Sequence, residues 1–179
     1  GARSLEVQTH DGQRLAAALV GLSDDLDVAL LRVDGLRGRQ PAPLGSAQGL
    51  EVGDEVLAFG SPLGLENTVT MGIVSGLRRN VVIEGQPYSG LIQISAPIAP
   101  GNSGGPLVLR STGQVVGINT AGANVGDIGF SIPLDRVLAL ARGWLQGVAD
   151  QGDEVDVPRS TPPSPAQVQV PVADEAVAL

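Results

Sequence analysis

Ser103 stands between Gly101-Asn102 and Gly104-Gly105, and the apolar run Pro106-Leu-Val-Leu109 follows. A serine in that setting can do acyl transfer. Gly101 lets the backbone turn so that its own N–H and that of Ser103 converge on one point, where charge collects as a carbonyl becomes tetrahedral. Gly104 and Gly105 are expected to let other main chain approach closely behind the serine. The same letters also fit an ordinary turn between two strands, so the surroundings must discriminate.

A Gly-x-Ser-x-Gly run is also the nucleophile elbow of α/β-hydrolases, which requires strand, serine and then helix, with acid and His both later in the chain. Here Pro106–Leu109 reads as a strand, Ser111-Thr-Gly113 as a turn and Val115-Val-Gly-Ile118 as the return strand. No His follows Ser103. The best acid lies well upstream: Asp27 heads Asp27-Val-Ala-Leu-Leu-Arg-Val33, a β-rich run whose apolar content predicts burial on both faces. A triad carboxylate must be fixed so that it holds an imidazole in one tautomer, and Asp27 is placed for that. Asp24 and Asp25 fall in the preceding turn, where they are expected to be solvated.

Five ordered segments carry a family resemblance. They are Ser23-Asp-Asp-Leu-Asp-Val-Ala-Leu-Leu-Arg-Val33, Ala58-Phe-Gly-Ser-Pro-Leu-Gly64, Thr68-Val-Thr-Met-Gly-Ile-Val-Ser75, Ile92 through the serine motif to Gly105, and Gly117-Ile-Asn-Thr-Ala121 with Gly129-Phe-Ser-Ile-Pro133. In order and spacing they resemble the HtrA/Deg family of chymotrypsin-fold, trypsin-like serine endopeptidases over roughly residues 1–147. The resemblance implies an all-β double barrel, with Ser103 as nucleophile, Asp27 as the orienting acid, and the N–H groups of Gly101 and Ser103 as oxyanion donors. It also implies that Pro97 and Ile98 line the pocket for the residue before the scissile bond, with Asn119, Thr120 and Phe130 nearby. The strand at Ile118–Ala121 would pair with substrate backbone.

In that family the catalytic His ends a strand in a Thr-Asn-x-His-like segment, followed by an alternating strand, an Asp-Gly turn and a second strand. This chain opens on the later part: Leu5-Glu-Val-Gln-Thr9, then His10-Asp-Gly12, then Arg14 to Leu22. The catalytic His is therefore expected just before Gly1, and these 179 residues by themselves are expected to be nearly inert. His10 is the single histidine of the sequence and reads as a polar hairpin-turn residue.

Composition supports a β-rich core: 42% of residues are hydrophobic but the aromatics are limited to Phe59, Tyr88, Phe130 and Trp144, so the core must be built from Val, Leu, Ile and Ala. Net charge is −8, which leaves no electrostatic footprint for nucleic acid or anionic lipid. With no Cys and a single His, thiol chemistry and a Cys- or His-ligated metal are not expected, and no cofactor is implied.

Along the chain, residues 1–45 read as a partial N-terminal barrel, 52–133 as a C-terminal barrel and 134–147 as a closing helix, together one protease domain. The helix follows from Leu134, Val137, Leu138, Ala141, Trp144, Leu145 and Val148 at helical spacing, with Asp135 in the first turn. From 150 to 179 the composition is acidic and Pro-rich, as in a disordered tail, although Val168, Val170 and Val172 alternate as a strand would.

The resemblance implies a polypeptide substrate in unfolded or extended form, an extracytoplasmic setting, periplasmic or cell-envelope, and leaves a homo-oligomer open. The alternative is a non-catalytic peptide-binding module that uses the same groove without chemistry.

Overall fold

The computed structural model describes residues 5–36, 38–61, 68–83, 85–122 and 128–151. Residues 62–64 of the second matching segment and the acidic segment from 152 onward lie outside them.

Alternating apolar residues build two sheets of unequal completeness. Strands β1 (Leu5–Gln8), β2 (Arg14–Ser23) and β3 (Val28–Val33) form an antiparallel sheet in that order. Six more strands close into a barrel: β4 (Glu55–Gly60), β5 (Thr68–Ile83), β6 (Gln86–Ile94), β7 (Pro106–Leu109), β8 (Gln114–Gly122) and β9 (Gly129–Pro133). This is the chymotrypsin-like architecture expected from the sequence, with one closed barrel and one three-stranded sheet. Strand β5 runs as one element from Thr68 through Asn80 to Ile83. Register shifts between Val74 and Val81 and a left-handed Arg78 (φ 53°) absorb the irregularity.

Period-two burial shows in β4, where Val56 and Ala58 point into the barrel and Leu57 and Phe59 lie partly outside. Val56, Ala58, Val74, Ile92, Ile94, Leu107 and Val116 form the barrel core. Each fully buried aliphatic side chain of this kind contributes about 1.5–3 kcal/mol. Strand β9 breaks the alternation, with Gly129, Phe130, Ser131 and Ile132 all buried. One of its faces looks into the barrel. The other carries Phe130 and Ile132 into a second core, shared with Leu26, Val28 and Leu91 and flanked by Val137, Leu140 and Trp144.

Those last three belong to helix α1 (Leu134–Gln151), which runs past the expected end at 147. Ala149, Asp150 and Gln151 do not stop a helix, and the next breaker is Gly152. The Trp144 ring lies directly over Gly21 of β2, so closely that a Cβ there would overlap it. Thus the helix that follows the barrel clamps the first sheet. The connecting segment is tied down as well: Asp135 accepts the Ala47 N–H at 2.7 Å and the Ser46 hydroxyl at 2.9 Å. Leu44 also bridges to Val115 in parallel fashion.

Strand β3 departs from its expected two-sided burial. Val28 is buried, but Ala29, Leu31 and Arg32 are exposed, because among the described residues nothing covers the outer face of the three-stranded sheet.

Candidate functional site

The serine turn leaves the barrel between β6 and β7. Its shape follows from its glycines, since Gly101 (φ 105°) and Gly104 (φ 83°) occupy backbone conformations that side chains with a Cβ resist. Gly105 is needed for a different reason: a Cβ there would overlap the Phe59 carbonyl oxygen. The close approach expected behind the serine is therefore confined to Gly105. Gly104 faces open space and serves the turn's handedness.

The turn is pinned by backbone bonds. Asn102 N–H donates to the Ala99 carbonyl at 3.0 Å, Ser61 N–H to the Gly101 carbonyl at 2.9 Å, and Gly104 N–H to the Asn119 carbonyl at 2.8 Å. Among the described residues the N–H groups of Gly101 and Ser103 meet no acceptor, which leaves both available to a ligand oxygen. Ser103 is exposed.

Ser103 and Asp27 come together through one residue of β8. The Ser103 hydroxyl donates to the Thr120 carbonyl at 2.8 Å, and the Thr120 hydroxyl donates to Asp27 Oδ2 at 3.2 Å. Asp27 is held by its neighbours rather than by its own burial. Leu26 and Val28 are anchored in the second core, and the Asp27 N–H closes a turn onto the Asp24 carbonyl at 3.3 Å. Its backbone is left-handed (φ 55°), a conformation that costs most residues roughly 1 kcal/mol and that Asp tolerates better than most. The expectation of a buried carboxylate is thus corrected: Asp27 is exposed, because it lies in the β2–β3 turn before the strand begins.

His10 occupies the other end of the same sheet. It sits in the β1–β2 turn, and the ten residues of β2 separate that turn from the β2–β3 turn that holds Asp27. At strand rise this is about 30 Å. Its exposed turn is a structural clip: Arg39 donates to Asp11 at 2.9 and 3.0 Å and to Gln13 at 3.3 Å. The Thr9 hydroxyl and Arg39 hold the Asp11 carboxyl down at about 2.

The residues expected to line a substrate pocket divide. Pro97 is exposed, with its carbonyl taken by the Thr70 hydroxyl at 2.8 Å and more weakly by the Asn102 amide at 3.5 Å. Ile98 is half-buried and lies over Gly129, so that a Cβ there would come within 2.5 Å of it. Ile98 also packs against the barrel core. Phe130 is 6% exposed and belongs to the core beneath α1. Asn119 is 1% exposed, and its side-chain amide is spent on Phe59, Pro106 and Ser131. The resemblance put Asn119 and Phe130 near substrate, but packing buries both: Phe130 in the core shared with Leu26 and Val28, Asn119 among Phe59, Pro106 and Ser131. The Thr120 hydroxyl as the contact to Asp27 was not read from the sequence, where no local signal joins positions 93 residues apart.

The exposed Ser103, beside two N–H groups that meet no acceptor among the described residues, is thus linked through Thr120 to the Asp27 carboxylate at the β2–β3 turn of the other sheet. The family model for the trypsin-like peptidase domain matches residues 1–118. Protease Do-like 1 from the chloroplast of Arabidopsis thaliana is 46% identical over 145 residues, covering 76% of this chain and 33% of that protein. A probable periplasmic serine endoprotease, DegP-like, from Pseudomonas fluorescens is 40% identical over 169 residues, covering 86% of this chain and 34% of that protein. Among solved structures, the HtrA-type protease AlgW with a decapeptide superposes with a TM-score of 0.74 at 39% identity, covering 82% of this chain and 45% of that one. The chain belongs to the trypsin-like peptidases, as an HtrA-type serine protease domain. It spans about a third of the length of these curated relatives.

Proposed function

We propose that this chain carries the nucleophile, acid and oxyanion site of a serine endopeptidase of HtrA-like type that cleaves unfolded or extended polypeptide. The observation that carries the reading is the Ser103–Thr120–Asp27 connection beside the free Gly101 and Ser103 N–H groups. In this reading the Ser103 oxygen attacks the scissile carbonyl while an imidazole takes its proton. The oxyanion that forms accepts from the two N–H groups. The intermediate collapses to an acyl-enzyme as the protonated imidazole gives its proton to the leaving amine, and water then releases the acyl group by the reverse choreography.

The imidazole is proposed to come from outside residues 1–179, because His10 lies at the far end of β2 from Asp27. Asp27 would orient it. A residue before the cut of small to medium apolar type fits Pro97 and Ile98, since a Lys or Arg there would be desolvated with no acid supplied by these two positions. The bound peptides of AlgW support polypeptide as the ligand class. The periplasmic DegP-like relative supports an extracytoplasmic setting.

A second reading, a peptide-binding module without turnover, is favoured by one observation: the Ser103 hydroxyl donates to a backbone carbonyl rather than to a base. The two are separated by expressing a form extended upstream of Gly1 and comparing it with its Ser103→Ala variant in casein cleavage and fluorophosphonate labelling. Loss of both in the variant supports the protease. Equal cleavage by the two forms, or peptide binding with no Ser103-dependent turnover, sinks it.

A further inference from the structure

Where β4 meets β7 the barrel seam carries a defect that the chain itself repairs. The register runs Val56↔Leu109, Leu57↔Val108 and Ala58↔Leu107, and the Arg110 N–H donates to the Glu55 carbonyl at 2.9 Å. In an antiparallel ladder alternate pairs exchange hydrogen bonds. The bonding pairs are therefore Glu55 with Arg110, Leu57 with Val108, and next Phe59 with Pro106. Proline has no N–H, so the Phe59 carbonyl loses its ladder donor at the point where the seam reaches the serine turn.

The Asn119 side chain supplies the missing proton. Its Nδ2 donates to the Phe59 carbonyl and to the Pro106 carbonyl, each at 3.3 Å, while its Oδ1 accepts the Ser131 hydroxyl at 3.0 Å. Its backbone brackets the same turn, accepting the Gly104 N–H and donating to the Gly105 carbonyl, both at 2.8 Å. One buried residue of β8 thus joins β4, β7 and β9 directly beneath Ser103. A half-buried carbonyl left without its ladder donor weakens the seam, so the strands would otherwise part or shift there. Any such shift moves the turn, because Phe59 oxygen is in contact with Gly105, two residues after the nucleophile.

We propose that Asn119 is a positioning residue that stands in for the absent Pro106 N–H and thereby sets the pose of Ser103. The proposal rests on the protease reading for its kinetic test but not for its structural one.

The test is a double-mutant cycle in the extended, cleaving form. Asn119→Val, a strand-favouring residue with no donor, is expected to lower kcat per titrated serine by at least about tenfold with KM within about threefold. Pro106→Ala restores a backbone N–H facing Phe59, and adding it to Asn119→Val should recover most of the loss. Pro106→Ala alone completes the cycle.

A second readout needs no turnover: hydrogen exchange at the Gly104 N–H should accelerate in Asn119→Val and regain protection in the double variant. If Asn119→Val does not fold, recovery of folding in the double variant supports the proposal. A melting temperature that falls with kcat per site unchanged overturns it. So does a double variant that shows no recovery in either readout or fails to fold. Absence of Ser103-dependent turnover in the parent would sink the protease reading while the exchange result still decides the role of Asn119.

Discussion

The Thr120 hydroxyl donates to Asp27 Oδ2 at 3.2 Å, from the closed barrel to the three-stranded sheet. It joins the two sheets beside Ser103, and in the proposed protease it would fix where the carboxylate places an imidazole. Thr120→Val keeps the shape and removes the donor. Turnover by the extended form is expected to fall on the order of tenfold, about 1.4 kcal/mol of barrier, with Thr120→Ser restoring most of it. Steady-state kinetics on the three forms check this; an unchanged kcat in the Val variant would show that Asp27 is held by its turn alone.

Asp27 combines a left-handed backbone with the proposed role of orienting acid, and the two can be separated by substitution. Asp27→Asn keeps a residue that tolerates positive φ, so its unfolding free energy should stay within about 0.5 kcal/mol of the parent while turnover drops by as much as about 10⁴-fold. Asp27→Ala should lose the same activity and roughly 1 kcal/mol of stability besides, and Asp27→Gly should regain that stability without activity. Urea titrations beside rate measurements distinguish the three.

Gly104 and Gly105 are adjacent in sequence and should respond differently to the same change. Gly105→Ala places a methyl against the Phe59 carbonyl oxygen, which is backbone and cannot swing aside. A loss of about 1–3 kcal/mol of stability and loss of labelling at Ser103 are expected. Gly104→Ala meets open space and suffers only the strain of φ 83°, about 1 kcal/mol. Thermal denaturation with fluorophosphonate labelling compares them, and equal effects would contradict this packing.

Trp144 is the sole tryptophan and reports on the docking of α1 over Gly21. Gly21→Ala should push the ring away, shift its fluorescence emission to the red and cost about 1–3 kcal/mol. Because α1, Leu26 and Val28 share one core, peptide cleavage should weaken in step. Emission identical to the parent would place the helix elsewhere.

Much of the architecture was legible because it rests on local pattern. Val56 and Ala58 alternate with Leu57 and Phe59, and the glycines around Ser103 mark a turn whose backbone few other residues could follow. The closing helix was legible from its apolar spacing, though not its last turn. What failed were statements about which way a flanking residue faces. The resemblance puts Phe130 and Asn119 near substrate, and Asp27 looks buried at the head of an apolar strand. Facing depends on which element covers each side of a strand: α1 and the first sheet cover β9, while the outer face of β3 is open among the described residues.

The sequence by itself determined the β architecture and singled out Ser103 and Asp27, in the family's order, as the proposed nucleophile and acid, because each is a property of residue type and short-range spacing. Only the tertiary structure decided what joins them. Thr120 reaching Asp27, the Asn119 amide replacing the proton that Pro106 lacks, and Trp144 seated on Gly21 are all contacts between distant segments. They depend on strand register and on barrel closure, and a hydrogen bond or a ring contact can form only after those have brought its partners to within a few ångströms.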